Sequence, residues 1–143
     1  MSVTVDANLL VYASNDDDEA YPAALSLVKS LAAGPELVYL FWPVVMSYLR
    51  IVSNPAIMPQ PLTPAAAIEN MTDLLERTHV RARGEGERFW SLYCSADGQS
   101  ARGNAVPDTH LVALMREHGV TTIYTRDRGF RRFDGITVRD PLD

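Results

Sequence analysis

Apolar residues recur along the chain with two alternating periods, one typical of buried strands and one typical of amphipathic helices. Short runs rich in β-branched and aromatic residues predict strands at SVTV (2–5), LVYLF (37–41), THVRA (78–82), TTIYT (121–125) and ITVRD (136–140). Between them, apolar residues spaced three or four apart predict helices. Strands that alternate with helices form parallel sheets covered on both faces. We therefore expect an α/β fold, a three-layer α/β/α sandwich with a four- to five-stranded, mainly parallel sheet.

The predicted helices carry start and stop signals in their flanking residues. The segments are ANLLVYAS (7–14), YPAALSLVKSLAAGP (21–35), PVVMSYLRIVSNP (43–55), TPAAAIENMTDLLER (63–77), GERFWSLYCSA (86–96) and VPDTHLVALMREHG (106–119). Pro43 is expected at a first helical position, and Thr63 is expected to cap the helix that Pro64 opens. Gly119 is expected to end the last helix. The stretch DGQSARGN (97–104) is rich in turn residues and predicts a polar loop.

Length and composition narrow the class of protein. The chain has 143 residues, of which 47% are hydrophobic and 22% charged, which is typical of one globular domain and predicts a single domain over residues 1–143. Its single cysteine, Cys94, excludes an internal disulfide framework. No apolar run approaches the roughly 18 residues that span a bilayer, and no leader pattern is visible. We expect a cytoplasmic protein without a membrane segment.

Charge is spread unevenly along the chain. The formal net charge of −5 argues against a protein that coats nucleic acid by bulk charge. The segment RDRGFRRF (126–133) nevertheless carries four arginines. Arginine presents a planar fork that suits phosphate, although a solvated surface explains the same cluster equally well.

Three aspartates fall where a parallel sheet places its ligands. Asp6 follows the first strand, Asp127 follows the fourth, and Asp108 lies in the first turn of the preceding helix. Ligands of open α/β sheets bind beyond the carboxyl ends of the strands, where the strand order reverses. If the first and fourth strands are neighbours, the three carboxylates converge there. Each alone has an ordinary explanation, as a helix-start acid or a turn residue.

Together, the three carboxylates indicate a metal site. Unpaired carboxylates in one crevice repel one another and raise one another's pKa, and a divalent cation such as Mg²⁺ or Mn²⁺ relieves that repulsion through oxygen ligands. Metal-assisted hydrolysis of a phosphodiester is the chemistry that suits such a cluster. A receiver or aspartyl-phosphate phosphatase is disfavoured, because Asp6 lacks an adjacent acidic pair and a DxD arrangement.

Four segments resemble the successive signature blocks of PIN domains and, more narrowly, of the VapC toxins of bacterial toxin–antitoxin pairs. They are VTVDANLLVYA, FWPVVMSYLRIVSNP, GNAVPDTHLVALMREHG and IYTRDRGFRRFDGI, and they cover nearly the whole chain. The resemblance implies a Mg²⁺- or Mn²⁺-dependent endoribonuclease that cuts structured RNA (tRNA, rRNA or mRNA) with a metal-activated water. It also implies a homodimer and inhibition by a cognate VapB-type antitoxin.

The resemblance assigns roles to individual residues. It implies that Asp6, Asp108 and Asp127 are the catalytic metal ligands and that Asn8 and Thr125 support them. Ser47 has no counterpart in the family pattern, and its hydroxyl is expected to support the site by orienting a metal-bound water. Arginines near these residues are expected to hold the RNA backbone; they are Arg50, Arg126, Arg128, Arg131 and Arg132.

Two positions depart from the family pattern. Many members carry a glutamate where this chain has Ser47, and a second acid is common where it has Gly129. The site then holds three carboxylates, which leaves open a second function: a weak or inactive PIN-like module that binds RNA or a partner protein without cutting.

Aromatic residues outside the acidic site suggest further surfaces. Phe41, Trp42 and Tyr48 are candidates for an apolar surface that receives a second copy or an antitoxin helix. Phe130 and Phe133 alternate with arginines and are candidates for base stacking. Core packing is the alternative for all five residues, and for Phe130 and Phe133 it is the favoured interpretation.

Overall fold

The computed structural model describes residues 1–142, and its strands form one parallel sheet. The strands are β1 (Ser2–Val5), β2 (Leu37–Phe41), β3 (Val80–Arg83), β4 (Thr122–Tyr124) and β5 (Thr137–Arg139). Their order across the sheet is β3-β2-β1-β4-β5, with every neighbouring pair parallel. The residues of β1 from Val3 to Val5 are all buried, as a central strand covered on both faces requires. This confirms the expected α/β fold.

Helices connect the strands in the described part of the chain. They are α1 (Ala7–Tyr12), α2 (Tyr21–Ala33), α3 (Trp42–Val52), α4 (Pro64–Leu75), α5 (Phe89–Tyr93), α6 (Ala96–Ser100) and α7 (Ala105–Glu117), with a 3-10 helix at Arg128–Arg132. Thr63 caps α4 as predicted, since its hydroxyl accepts the Ala66 N–H at 3.1 Å. Gly119 follows α7 with a φ of +72°, a conformation that favours glycine. None of these helices is long and apolar enough to cross a membrane.

The stretch at 97–104, predicted as a polar loop, is helical over its first half. Its glycine was the misleading signal, because Gly98 lies inside α6 and not in a turn. A Cβ on Gly98 would overlap the carbonyl oxygen of Tyr93 at the end of α5. The glycine therefore permits a close approach between two short helices. The helix predicted over 86–96 covers only Phe89–Tyr93, and the second helix, Ala96–Ser100, lies almost wholly in the predicted loop.

Two of the aromatic residues proposed for a surface lie instead in the core. Phe41 and Tyr48 are fully buried, and the Tyr48 hydroxyl bonds the side chains of Ser14 and Asn70 at 2.7 and 3.1 Å. Phe130 and Phe133 are buried as well, which confirms the favoured core reading. Only Trp42 of the proposed surface trio remains exposed.

The strand order produces the expected reversal point. From the central strand β1 the chain runs outward through β2 and β3, then returns to β4 on the other side of β1. The carboxyl ends of β1 and β4 are thus adjacent, and the backbone N–H of Asp6 donates to the carbonyl of Tyr124 at 2.9 Å. The segments that carry Asp6 and Asp127 therefore leave the sheet side by side.

Candidate active site

The carboxylate of Asp6 is hydrogen-bonded to the neighbouring strand segment. Asp6 occupies the cap position of α1, yet its side chain makes no capping hydrogen bond. The Thr125 hydroxyl instead donates to Asp6 Oδ2 at 2.8 Å. Asp6 therefore does not cap α1 through its side chain, although its place at the start of the helix still complements the helix dipole.

Thr125 joins two of the three acidic segments. Its hydroxyl donates to Asp6 and at the same time accepts the backbone N–H of Asp127 at 2.9 Å. The side chain of Thr125 is buried, so both bonds are sheltered from water. One threonine thus sets the direction of the Asp6 carboxylate and the position at which the Asp127 backbone begins its turn.

Asp108 and Asp127 reach the same crevice from two other elements. Asp108 lies in the first turn of α7, and Asp127 begins the 3-10 helix, where its Oδ1 accepts the Gly129 N–H at 2.8 Å. A guanidinium nitrogen of Arg132, Nη2, lies 3.5 Å from Asp108 Oδ2. The site thus combines three carboxylates with one arginine.

The electrostatics show that the three carboxylates interact. Burial raises the pKa of Asp6 above its ordinary value, and the charges of Asp108 and Asp127 raise it further. The Thr125 hydroxyl and the Ala7 N–H oppose this rise by bonding the ionised carboxylate. Repulsion of this kind is relieved by a cation.

The pKa of Asp108 is shifted in the same direction. Burial raises it, the charge of Asp127 adds to the rise, and the guanidinium of Arg132 lowers it. The pKa of Asp108 is therefore subject to two opposing charges in one crevice, the carboxylate of Asp127 and the guanidinium of Arg132.

The donor set fits a hard divalent cation, although the side chains are not arranged around one. Within residues 1–142, no three histidine, cysteine or acidic side chains are grouped closely enough to hold a metal ion as they stand. The three carboxylates nevertheless supply the oxygen ligands that Mg²⁺ and Mn²⁺ prefer. Asp108 would have to turn from Arg132 to complete such a site.

Three predicted site residues, two of them supporting residues and one an RNA-binding arginine, make no direct bond to the aspartates among the described residues. Asn8 is exposed on α1 and Ser47 is half-buried on α3, and no hydrogen bond in the described residues joins either to the acidic cluster. Arg50 lines a groove between α3 and α4, beside Pro64 and Ile68. The roles of Asn8, Ser47 and Arg50 stay predictions.

The arginines after β4 lie beside the acidic crevice and face solvent. Arg126, Arg128 and Arg131 are exposed, and the Arg126 guanidinium lies 6.0 Å from the centre of the Tyr12 ring. Arg132 differs from the other three because it contacts Asp108. The sequence placed these arginines near the site without distinguishing Arg132 among them.

A groove between α1, α2 and α4 was missed by the sequence interpretation. Its lining is mainly apolar and includes Leu10, Leu25, Val28, Met71 and Leu74, with the buried Tyr48 beneath. The sequence signal for this groove was the spacing of apolar residues along α2. The hydrophobic pattern by itself assigns such residues to the core and not to a groove.

Comparisons with known proteins agree with this fold and with these segments. Residues 3–136 match the PIN domain family. Ribonuclease VapC48 of Mycobacterium tuberculosis is 49% identical over 143 residues, covering 99% of each chain. The crystal structure of M. tuberculosis VapC20, described as a sarcin–ricin loop cleaving toxin, superposes with a TM-score of 0.66 at 20% identity, over 96% of this chain and 98% of that one. The Rickettsia felis VapBC2 complex, bound to a DNA fragment from its promoter, gives a TM-score of 0.67 at 16% identity over 98% of both chains.

Proposed function

Because the chain belongs to the VapC ribonucleases of the PIN-domain family, we propose that it is the toxin of a toxin–antitoxin pair and cleaves RNA with a bound Mg²⁺ or Mn²⁺ ion. One observation supports the metal-dependent part above the others. Thr125 bonds Asp6 and the Asp127 backbone together, and the charges of Asp108 and Asp127 both act on Asp6. The match over residues 3–136 also supports one PIN domain over residues 1–143.

In this proposal the chain's own residues prepare the site for the metal and the RNA. Asp6, Asp108 and Asp127 would hold the ion, and Thr125 would fix the direction of the Asp6 carboxylate. When bound, a divalent ion supplies activation of water and stabilisation of the leaving oxygen. Outer residues that fix a ligand contribute strongly to such sites, which is the role that we assign to Thr125.

The exposed arginines next to Asp127 would position the RNA. Arg126, Arg128 and Arg131 follow β4 directly and lie at the surface. Guanidinium groups hold phosphate oxygens and fix the register of a nucleic acid without reading its sequence. We propose a structured RNA as substrate, and a cytoplasmic location because RNA is found there.

A VapB-type antitoxin is the protein partner, and the groove between α1, α2 and α4 is a candidate binding site for it. The groove is lined by apolar residues such as Leu25, Val28 and Leu74 and also by the polar residues Asp73 and Arg77. An amphipathic helix commonly binds in a groove of this kind. We propose that the antitoxin places a helix there.

A homodimer would use another face of the molecule. Trp42 and Met46 lie one turn apart on α3, and both are exposed, as is Ile68 on α4. Exposed apolar side chains on neighbouring helices favour contact with another protein surface. We propose that this face of α3 and α4 contacts a second copy.

Cleavage of structured RNA by purified protein, with and without Mn²⁺, tests the proposed activity. The wild-type protein is compared with Asp6→Asn and with Asp17→Asn, an exposed acid outside the site. We expect Mn²⁺-dependent cutting by the wild type and by Asp17→Asn. Asp6→Asn should cut at least about 100-fold more slowly, since it weakens a carboxylate that the metal needs.

Two other outcomes would contradict metal-dependent cleavage. Equal cutting by the wild type and Asp6→Asn without metal would indicate a contaminating nuclease. Binding of RNA or antitoxin without cutting in any condition would favour the alternative function, a PIN-like module that does not cleave. The feature of the chain that favours this alternative is Ser47, which stands where many family members carry a glutamate.

A further inference from the structure

Arg132 is held in place by contacts on three sides. Its guanidinium carbon lies 4.3 Å from the centre of the buried Phe133 ring. Nη1 donates to the carbonyl of Gly129 at 2.7 Å, and Nη2 lies 3.5 Å from Asp108 Oδ2. A cation stacked on an aromatic ring keeps its position while its donors remain free to bond. Arg132 therefore presents a fixed positive charge to the acidic crevice.

The glycine at 129 allows this arrangement. A Cβ at Gly129 would lie 2.9 Å from Asp127 Oδ1 and 3.0 Å from Arg132 Nη1. A carboxylate oxygen and a guanidinium nitrogen thus flank the space that any side chain at 129 would enter. The charge of Arg132 therefore lies beside Gly129, the position at which many family members carry an acid.

The contact between Arg132 and Asp108 is weak enough for another cation to replace Arg132. The two charged atoms are 3.5 Å apart, and the side chain of Arg132 is 44% exposed. An ion pair this open to water is weak and contributes at most about fivefold to an equilibrium constant. A divalent ion that shares several carboxylates can compete with such a contact.

We propose that Arg132 is the cation that the protein supplies to its own acidic site, and that a divalent metal must displace it from Asp108 in order to bind. This rests on the proposed function, since it assumes that Asp108 is a metal ligand. It explains why the three carboxylates interact electrostatically and yet are not grouped around a common point within residues 1–142. It also makes metal affinity a property that Arg132 sets.

Calorimetric titration of the metal-free protein with Mn²⁺ at low ionic strength tests the competition. The variants are Arg132→Gln and, as matched control, Arg131→Gln, which removes an exposed charge from the same 3-10 helix. We expect Arg132→Gln to bind Mn²⁺ about two- to fivefold more tightly than Arg131→Gln. Equal or weaker binding by Arg132→Gln would overturn the proposal, because general charge removal would then explain any change.

A measurement on the wild-type protein keeps the test valid if Arg132→Gln unfolds. In a titration with Mg²⁺ followed by NMR, the side-chain Nε–H signal of Arg132 should shift with the same midpoint as Mg²⁺ binding. An Arg132 signal that stays fixed while Mg²⁺ binds would overturn the proposal.

The Asp6→Asn variant distinguishes the two possible failures. If wild-type protein binds Mn²⁺, Asp6→Asn does not, and Arg132→Gln matches its control, only the role of Arg132 is wrong. If neither the wild type nor any variant binds Mn²⁺, the metal-dependent function fails and the competition fails with it.

Discussion

The hydroxyl of Thr125 has partners on two segments, the carboxylate of Asp6 and the backbone N–H of Asp127. At this scale the family resemblance pointed to Thr125 as a supporting residue, and its hydrogen bond to Asp6 favours that prediction. The sequence did not identify the contact of Arg132 with Asp108. Four arginines in one short segment look alike in sequence, and only the direction of each side chain separates them.

Replacing Thr125 with valine should weaken metal binding while preserving the buried shape. Valine fills nearly the same volume but removes the hydrogen bond that lowers the pKa of Asp6. That pKa then rises further, so the carboxylate is protonated at a higher pH and less available to a metal. We expect Mn²⁺ affinity to fall about 10- to 100-fold, and the loss of binding on acidification to begin at higher pH.

Titration of Mn²⁺ over a series of pH values measures this effect. Thr122→Val is the matched control, since Thr122 is also buried and lies on β4 away from the aspartates. Equal affinities and pH profiles for the two variants would show that Thr125 does not support the site.

At the scale of elements, β1 and β2 have the boundaries that the sequence predicts. Both are central in the sheet, so their apolar runs are continuous and their limits are sharp. The strands nearer the edges differ more, since β3 begins at Val80 and β5 covers only Thr137–Arg139. The helix at Ala96–Ser100 was not predictable, because it depends on the close approach of Gly98 to the end of α5.

Replacing Gly98 with alanine should destabilise the fold. In an ordinary helix this change is favourable by about 1 kcal/mol, but here the new Cβ would overlap the Tyr93 carbonyl oxygen. The clash requires movement of backbone, so we expect a net loss of about 1–3 kcal/mol. Urea unfolding measures the free energy, with Gln99→Ala as the control on the same helix, expected to change it by less than about 0.5 kcal/mol. A stabilised Gly98→Ala protein would contradict the close approach of α5 and α6.

At the scale of the whole molecule, the strand order brings residues 6, 108 and 127 to one edge of the sheet. The parallel sheet was predictable from alternating strands and helices, and the convergence depended on the first and fourth strands being neighbours, as the strand order has them. The groove between α1, α2 and α4 was not predictable, since its walls come from segments far apart in sequence. Net charge did not indicate where positive charge lies: the chain carries −5 overall, yet four arginines follow β4 next to Asp127.

The location of a bound metal tests the central claim most directly. Crystals grown with Mn²⁺ and measured for anomalous scattering should show one peak about 2.1 Å from carboxylate oxygens of Asp6, Asp108 and Asp127. Asp108 should then have turned from Arg132. A Mn²⁺ peak elsewhere on the protein, or no peak at the three aspartates under conditions that support RNA cleavage, would contradict the claim.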